Sequence, residues 1–303
     1  MATKKKAITN KPTNKKSKAD SAGGADTRPI TSWFDPRLDF ASPVPLRKSY
    51  IVASSYRCGS TFLCSELWKS GVLGAPTEYL NIDAGNAAIP SATEPGRLMV
   101  RFGAETPEDY FVKLVAHRTG RNGIFGMKAH GHHFEAALTW CPSMLKILAP
   151  VTFIYINRRD KVAQAVSMAK AMQTNAWISF DQVTGKNTRY DAGFIEQCKN
   201  ELEQQRLNWW RWFDTNNVTP FVVTYEDLVA DKASVVRNII ELLEVGNDEP
   251  EKIDLPAVEK QSDEINSEWA ERFAGDGADG VAESWDVDSV DALTESDWPS
   301  PSR

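Results

Sequence analysis

The chain has 303 residues, 42% of them hydrophobic, and a net charge of −6. It can bury one substantial core, with at most a small appendage, and so acidic a chain is not built to grip nucleic acid. The charge is uneven, with residues 1–30 balancing at +6 and residues 275–303 at −7.

The first stretch is rich in Lys, Thr and Ala and has almost no large apolar residue before Ile30. It lacks the apolar segment of a secretory signal, and no run in the chain reaches transmembrane length. Residues 1–31 and 275–303 therefore read as disordered, solvated tails, basic and acidic respectively, around a folded domain at 32–274. Cys58, Cys64, Cys141 and Cys198 show neither C-x-x-C nor zinc spacing. Four free thiols in a reducing cytoplasm, with no bound metal, is the expectation.

Tyr50–Ser54 is an apolar, β-prone run, and Ser55-Tyr56-Arg57-Cys58-Gly59-Ser60-Thr61 is a tight polar loop. A helix follows with Phe62, Leu63 and Leu67 on its apolar side. The first N–H groups of such a helix lack intrahelical partners, and its dipole favours an anion there. Gly59 lets the backbone approach an oxyanion, Ser60 and Thr61 donate hydroxyls, and Arg57 adds a fixed charge. The G-x-x-x-x-G-K-[ST] spacing of a Walker loop is absent, so the loop is P-loop-like without being that of an ordinary ATPase.

Thr106-Pro107-Glu108-Asp109 starts a second helix, with Tyr110, Phe111, Leu114 and Val115 at helical spacing. Gly123–Ala129 and Val151–Asn157 read as strands, the latter running into Arg158-Arg159-Asp160-Lys161. Val162, Ala165, Val166, Ala169 and Met172 then trace a helix carrying Ser167. A long helix over about Ala192–Asp214, a strand at Pro220–Tyr225 and a helix over about Ser234–Leu243 complete the pattern. Continuous apolar strands alternating with helices predict an α/β domain with a central, mostly parallel sheet flanked by helices. Ligands in such folds sit beyond the carboxyl ends of the strands, which puts the Arg57 loop, the end of Gly123–Ala129 and Arg158-Arg159 on one rim. Two anion-suited loops there suit a nucleotide with phosphates at both ends of its ribose.

Tyr56-Arg57-Cys58-Gly59-Ser60-Thr61 resembles the 5′-phosphosulfate loop of sulfotransferases, and Arg159 with Ser167 resembles the pair that holds the donor's 3′-phosphate. Tyr225-Glu226-Asp227-Leu228 is similar to a segment that follows a later strand in that fold. More closely, several ordered pieces resemble the bacterial trehalose 2-sulfotransferase family. They are Ser55–Thr61, Pro76-Thr77-Glu78-Tyr79, Phe125-Gly126-Met127-Lys128, Arg158-Arg159-Asp160-Lys161, Gln164-Ala165-Val166-Ser167, Gln173-Thr174 and Trp177, and they span about Ser49–Phe273. Cys58 stands where that family usually has serine, and Ala129-His130-Gly131-His132-His133 departs from its usual apolar, Trp-containing stretch.

The resemblance implies a sulfotransferase fold and transfer of a sulfuryl group from 3′-phosphoadenosine 5′-phosphosulfate (PAPS) to a hydroxyl of trehalose, a related sugar or a glycolipid. It implies Glu78 as general base, with His130 as second choice, and Arg57 as the charge on the leaving oxygen. Arg57, Cys58, Gly59, Ser60, Thr61, Phe62, Arg159 and Ser167 would hold the cosubstrate, and Lys128, His130, Gln173 and Trp177 would line the acceptor pocket. His130, His132 and His133 have no evident carboxylate partner in sequence beyond Glu135, and a plain wall role is expected for the trio. A homodimer is implied, and the Trp209-Trp210-Trp212-Phe213 cluster suits either a partner or the core. A small-molecule kinase and a nucleotide-binding protein without catalysis remain open alternatives.

Overall fold

Four strands, β1 (Lys48–Ser54), β2 (Ile124–His130), β3 (Val151–Asn157) and β4 (Phe221–Thr224), form one sheet in the order β2-β1-β3-β4. Every pairing is parallel, as expected for apolar runs separated by helices. In this computed structural model the described residues are 32, 34–40, 42–81, 94–177, 188–246, 248–250, 255, 258 and 263–278. The tail expectations for 1–31 and for residues beyond 278 lie outside them.

The period of two along each strand divides the core. Ile51, Ala53, Phe125, Met127, Phe153 and Tyr155 face one layer. That layer contains α3 (Pro107–Arg118), α4 (Gly131–Trp140), α5 (Met144–Leu148) and α7 (Ala192–Thr215). Tyr50, Val52, Ile124, Ile154 and Ile156 face the other, with α1 (Ser60–Lys69) and α9 (Lys232–Leu242). A third cluster joins α6 (Lys161–Thr174), α7 and α10 (Glu264–Ala278) through Val166, Ala169, Leu202 and Trp269. Trp209 and Phe213 are buried in the first layer, and Trp210 and Trp212 pack against it, so the core explains that aromatic cluster.

Helix starts follow short polar side chains. Thr106 Oγ1 accepts from the Asp109 N–H at 3.1 Å, Asp160 from Ala163 at 2.8 Å and Asp191 from Phe194 at 2.9 Å. Two boundaries differ from expectation. Tyr225 does not end a strand but opens α8 (Tyr225–Ala230), because Thr224 caps it by accepting from the Asp227 N–H at 3.2 Å. α10 runs past the boundary expected at residue 274, to Ala278. α2 (Glu94–Phe102), α4 and α5 were not anticipated.

Asp39, just after a short turn of 3-10 helix at Pro36–Leu38, accepts two hydrogen bonds from Arg101 at 2.8 Å. It also pairs with Nε of Arg118 at 2.9 Å, and Arg118 is fully buried with its guanidinium against Trp68 and Tyr79.

Candidate active site

The register places Ser54 opposite both His130 and Ile156, so the loops leaving β1, β2 and β3 open on one rim. The β1–α1 loop is held from behind by two helices. Gln164 of α6 donates to Ser55 Oγ at 3.0 Å and to the Tyr56 carbonyl at 2.7 Å. From α7, Gln205 accepts the Tyr56 N–H at 3.2 Å and the Trp209 indole donates to the Ser54 carbonyl at 3.0 Å. Arg57 sits at φ +60° and Gly59 at φ +89°. A Cβ on Gly59 would fall 2.4 Å from the Tyr225 ring, so both conformation and space require glycine. The N-cap residue of α1, Gly59, has no side chain to cap the helix, so its first turn has N–H groups without intrahelical partners. Burial raises the Cys58 thiol, which donates to the Ser55 carbonyl at 3.0 Å and serves as structure.

Arg57 and Ser167 are brought together, with Nε donating to Ser167 Oγ at 2.9 Å. The same guanidinium donates to the Trp177 carbonyl at 2.5 Å, and the Trp177 ring lies 5.4 Å from that of Tyr56. Arg158 donates to the Arg57 carbonyl at 3.4 Å and covers the Tyr225 ring at 4.9 Å. Arg158, Asp160 and Ser167, with Asn266, Ser267 and Glu271 of α10, line a cavity of about 250 Å³. Arg159 turns elsewhere, to Asp227 at 2.9 Å, with 42% of its side chain exposed. The structure thus sets Ser167 beside Arg57 rather than Arg159, and Arg158, which the sequence placed on the rim without a ligand role, is the arginine that lines the cavity with it. Phe62 packs into the second core layer under the Lys232 ammonium, 5.9 Å away. Gln173 donates to the Arg189 carbonyl at 3.0 Å and accepts the Arg189 N–H at 2.8 Å.

Glu78 reaches the rim through an isolated parallel bridge to Lys128, whose N–H donates to the Thr77 carbonyl at 2.8 Å. The Lys128 ammonium lies 2.8 Å from Glu78 Oε2 and 3.3 Å from Thr61 Oγ1. His133 Nδ1 is 3.1 Å and His130 Nε2 3.7 Å from the other oxygen. Glu78, and not Glu135, is therefore the carboxylate partner of the histidines. Burial opposes the charge on Glu78, yet the Lys128 ammonium beside it holds its carboxyl well below the usual range. Lys128 is raised despite burial because Glu78 favours its charge.

His130 bonds through Nδ1 to Ser54 Oγ at 3.0 Å, while that hydroxyl donates to the Ala129 carbonyl. The proton is thereby assigned to Nδ1 and the lone pair to Nε2. Burial lowers His130 to about 3 and His132 to about 4, so both are neutral near pH 7. His132 Nε2 meets the Tyr56 hydroxyl at 2.9 Å, and burial raises that phenol. No group of three or more metal-ligating residues occurs among the described residues. The arrangement offers an ionised carboxylate, a cation shared between it and the first turn of α1, and an arginine over the same loop. It suits proton removal beside a bound oxyanion.

Residues 49–276 match the family described as Stf0 sulphotransferase. The trehalose 2-sulfotransferase of Mycolicibacterium smegmatis is 27% identical over 263 residues, covering 75% of this chain and 95% of that protein. The trehalose 2-sulfotransferase of Mycobacterium tuberculosis is 26% identical over 257 residues, covering 75% and 94%. Among solved structures, the sulfotransferase domain of the Synechococcus PCC 7002 olefin synthase is 19% identical with a TM-score of 0.37, covering 77% of this chain and 95% of that one. That likeness is too distant to carry an argument.

Proposed function

The chain belongs to the Stf0 sulphotransferase family and is a sulfotransferase, and we propose that it moves a sulfuryl group from PAPS to a carbohydrate hydroxyl with Glu78 as general base. The observation that carries this reading is Lys128, one ammonium touching both the carboxylate and Thr61 of the anion loop. It sets the group that would take the acceptor proton next to the group that would hold the donor.

The residues fit a donor phosphorylated at both ends. The uncapped start of α1 and Arg57 suit the 5′ end, and Arg158 and Ser167 offer donors for the 3′-phosphate in a cavity whose wall also carries the carboxylates of Asp160 and Glu271. Arg159 joins them only by leaving Asp227. When bound, PAPS supplies an activated sulfuryl group and a phosphate leaving group. Glu78 takes the acceptor's proton as its oxygen attacks, and its low pKa keeps it unprotonated and ready near neutral pH. Arg57 and the loop N–H groups neutralise charge on the departing oxygen. His130, Trp177 and Lys128 wall the acceptor side.

The curated relatives are named for trehalose, and trehalose or a related sugar or glycolipid is the acceptor we infer. No helix among the described residues is long and apolar enough to cross a membrane. We infer a homodimer by family resemblance, and a reducing, cytoplasmic setting from four cysteines that are all free thiols. The test is a ³⁵S-labelled donor assayed against a panel of sugars, with mass spectrometry of the product and calorimetry of 3′,5′-adenosine bisphosphate binding. Sulfated trehalose or a congener is expected, and no association with the bisphosphate would overturn the donor assignment.

A further inference from the structure

Taking Glu78 as the base, as that reading does, we propose that His133 is its positioning residue, its Nδ1–H holding Oε1 while Lys128 holds Oε2. A carboxylate gripped through both oxygens cannot rotate, so the direction of its remaining lone pairs is set before any acceptor arrives.

Three observations single out His133. Its side chain is buried, and Nδ1 is shielded from water without a hydrogen bond, its nearest acidic oxygen being Glu78 Oε1 at 3.1 Å, where a small turn of either side chain completes the bond. His130 cannot replace it, because its Nδ1 proton is committed to Ser54 and its Nε2 stands 3.7 Å from Glu78 with a lone pair facing the charge. The His133 ring is also fixed on its far side. It lies 4.0 Å from the ring of His132, which is bonded to the Tyr56 hydroxyl, and Tyr56 belongs to the anion loop. Movement of that loop on donor binding would therefore reach the base through Tyr56, His132 and His133.

Truncation His133→Leu, with His133→Asn as the conservative variant, tests this, since the Asn amide nitrogen stands where Nδ1 does. His133→Leu is expected to lower kcat on the order of 10- to 100-fold. Acceptor KM should stay within about twofold, bisphosphate affinity should be unchanged, and Asn should recover most of the loss. In a Glu78→Gln background the Leu change should have little further effect, because it acts through Glu78. Wild-type kcat in His133→Leu, no recovery by Asn, or an equal loss in the Glu78→Gln background would each overturn the proposal. Should the Leu variant fail to fold, ¹⁵N-histidine NMR of the intact protein decides the matter. A proton on His133 Nδ1 at neutral pH supports the role, and an unprotonated Nδ1 refutes it. That measurement needs no turnover, so it separates failure of this proposal from failure of the functional reading.

Discussion

The two ends of the rim hold their charges in opposite ways. At the β2 end, Lys128 is 7% exposed and locked between Glu78 and Thr61. At the β3 end, Arg159 is 42% exposed and tied to an Asp227 that is itself 57% exposed. A buried pair loses much if one partner is removed, whereas a surface pair is worth about 0–1 kcal/mol and is easily exchanged. The first end is set in advance for proton removal. The second can trade a carboxylate for an incoming phosphate at little cost.

Substitutions can break this contrast. Glu78→Gln should have the largest effect, on the order of 10²–10⁴-fold in turnover, with donor affinity nearly intact. Radiolabel transfer beside calorimetry measures both. Arg57→Ala follows, at about 10²–10³-fold in kcat. Arg159→Ala should weaken bisphosphate binding by roughly tenfold and leave kcat near wild type. A kcat loss as great as that of Arg57→Ala would erase the distinction between the two ends.

The smallest effect concerns stability. The unfolded chain takes a proton on this histidine near pH 6.5, while folded His130 resists it until about 3. The unfolded state therefore binds more protons across that interval, and stability falls as pH falls through it. His132 adds to the trend down to about 4. Ionised Glu78 stabilises the fold above the ordinary carboxylate range, and that contribution disappears only as pH drops through its depressed folded value. Thermal melts near neutrality and at about pH 5 should show a decline in Tm that is smaller, by a few degrees, in His130→Asn.

Local patterns made much of this readable in the sequence. The run into the Gly59 loop and the Thr106 cap need only neighbours in the chain to act. Glu78 and Lys128 lie far apart in sequence and meet through one isolated bridge, so only family resemblance pointed to the carboxylate. Arg158 and Arg159 look equivalent as a dipeptide. Their side chains leave the chain in opposite directions, one over Tyr225 and the other to Asp227. His133 could not be placed because α4 begins directly at the end of β2, with no side-chain cap to announce it.

Asp39 carries a consequence for where this domain physically starts. The family match begins at residue 49, ten positions downstream of that carboxylate. A polypeptide trimmed to the match would keep the catalytic rim entire and still strip Arg118 of a counter-charge deep among aromatic rings. The boundary of the family match thus falls inside an ion-paired network of the folded domain rather than at its edge.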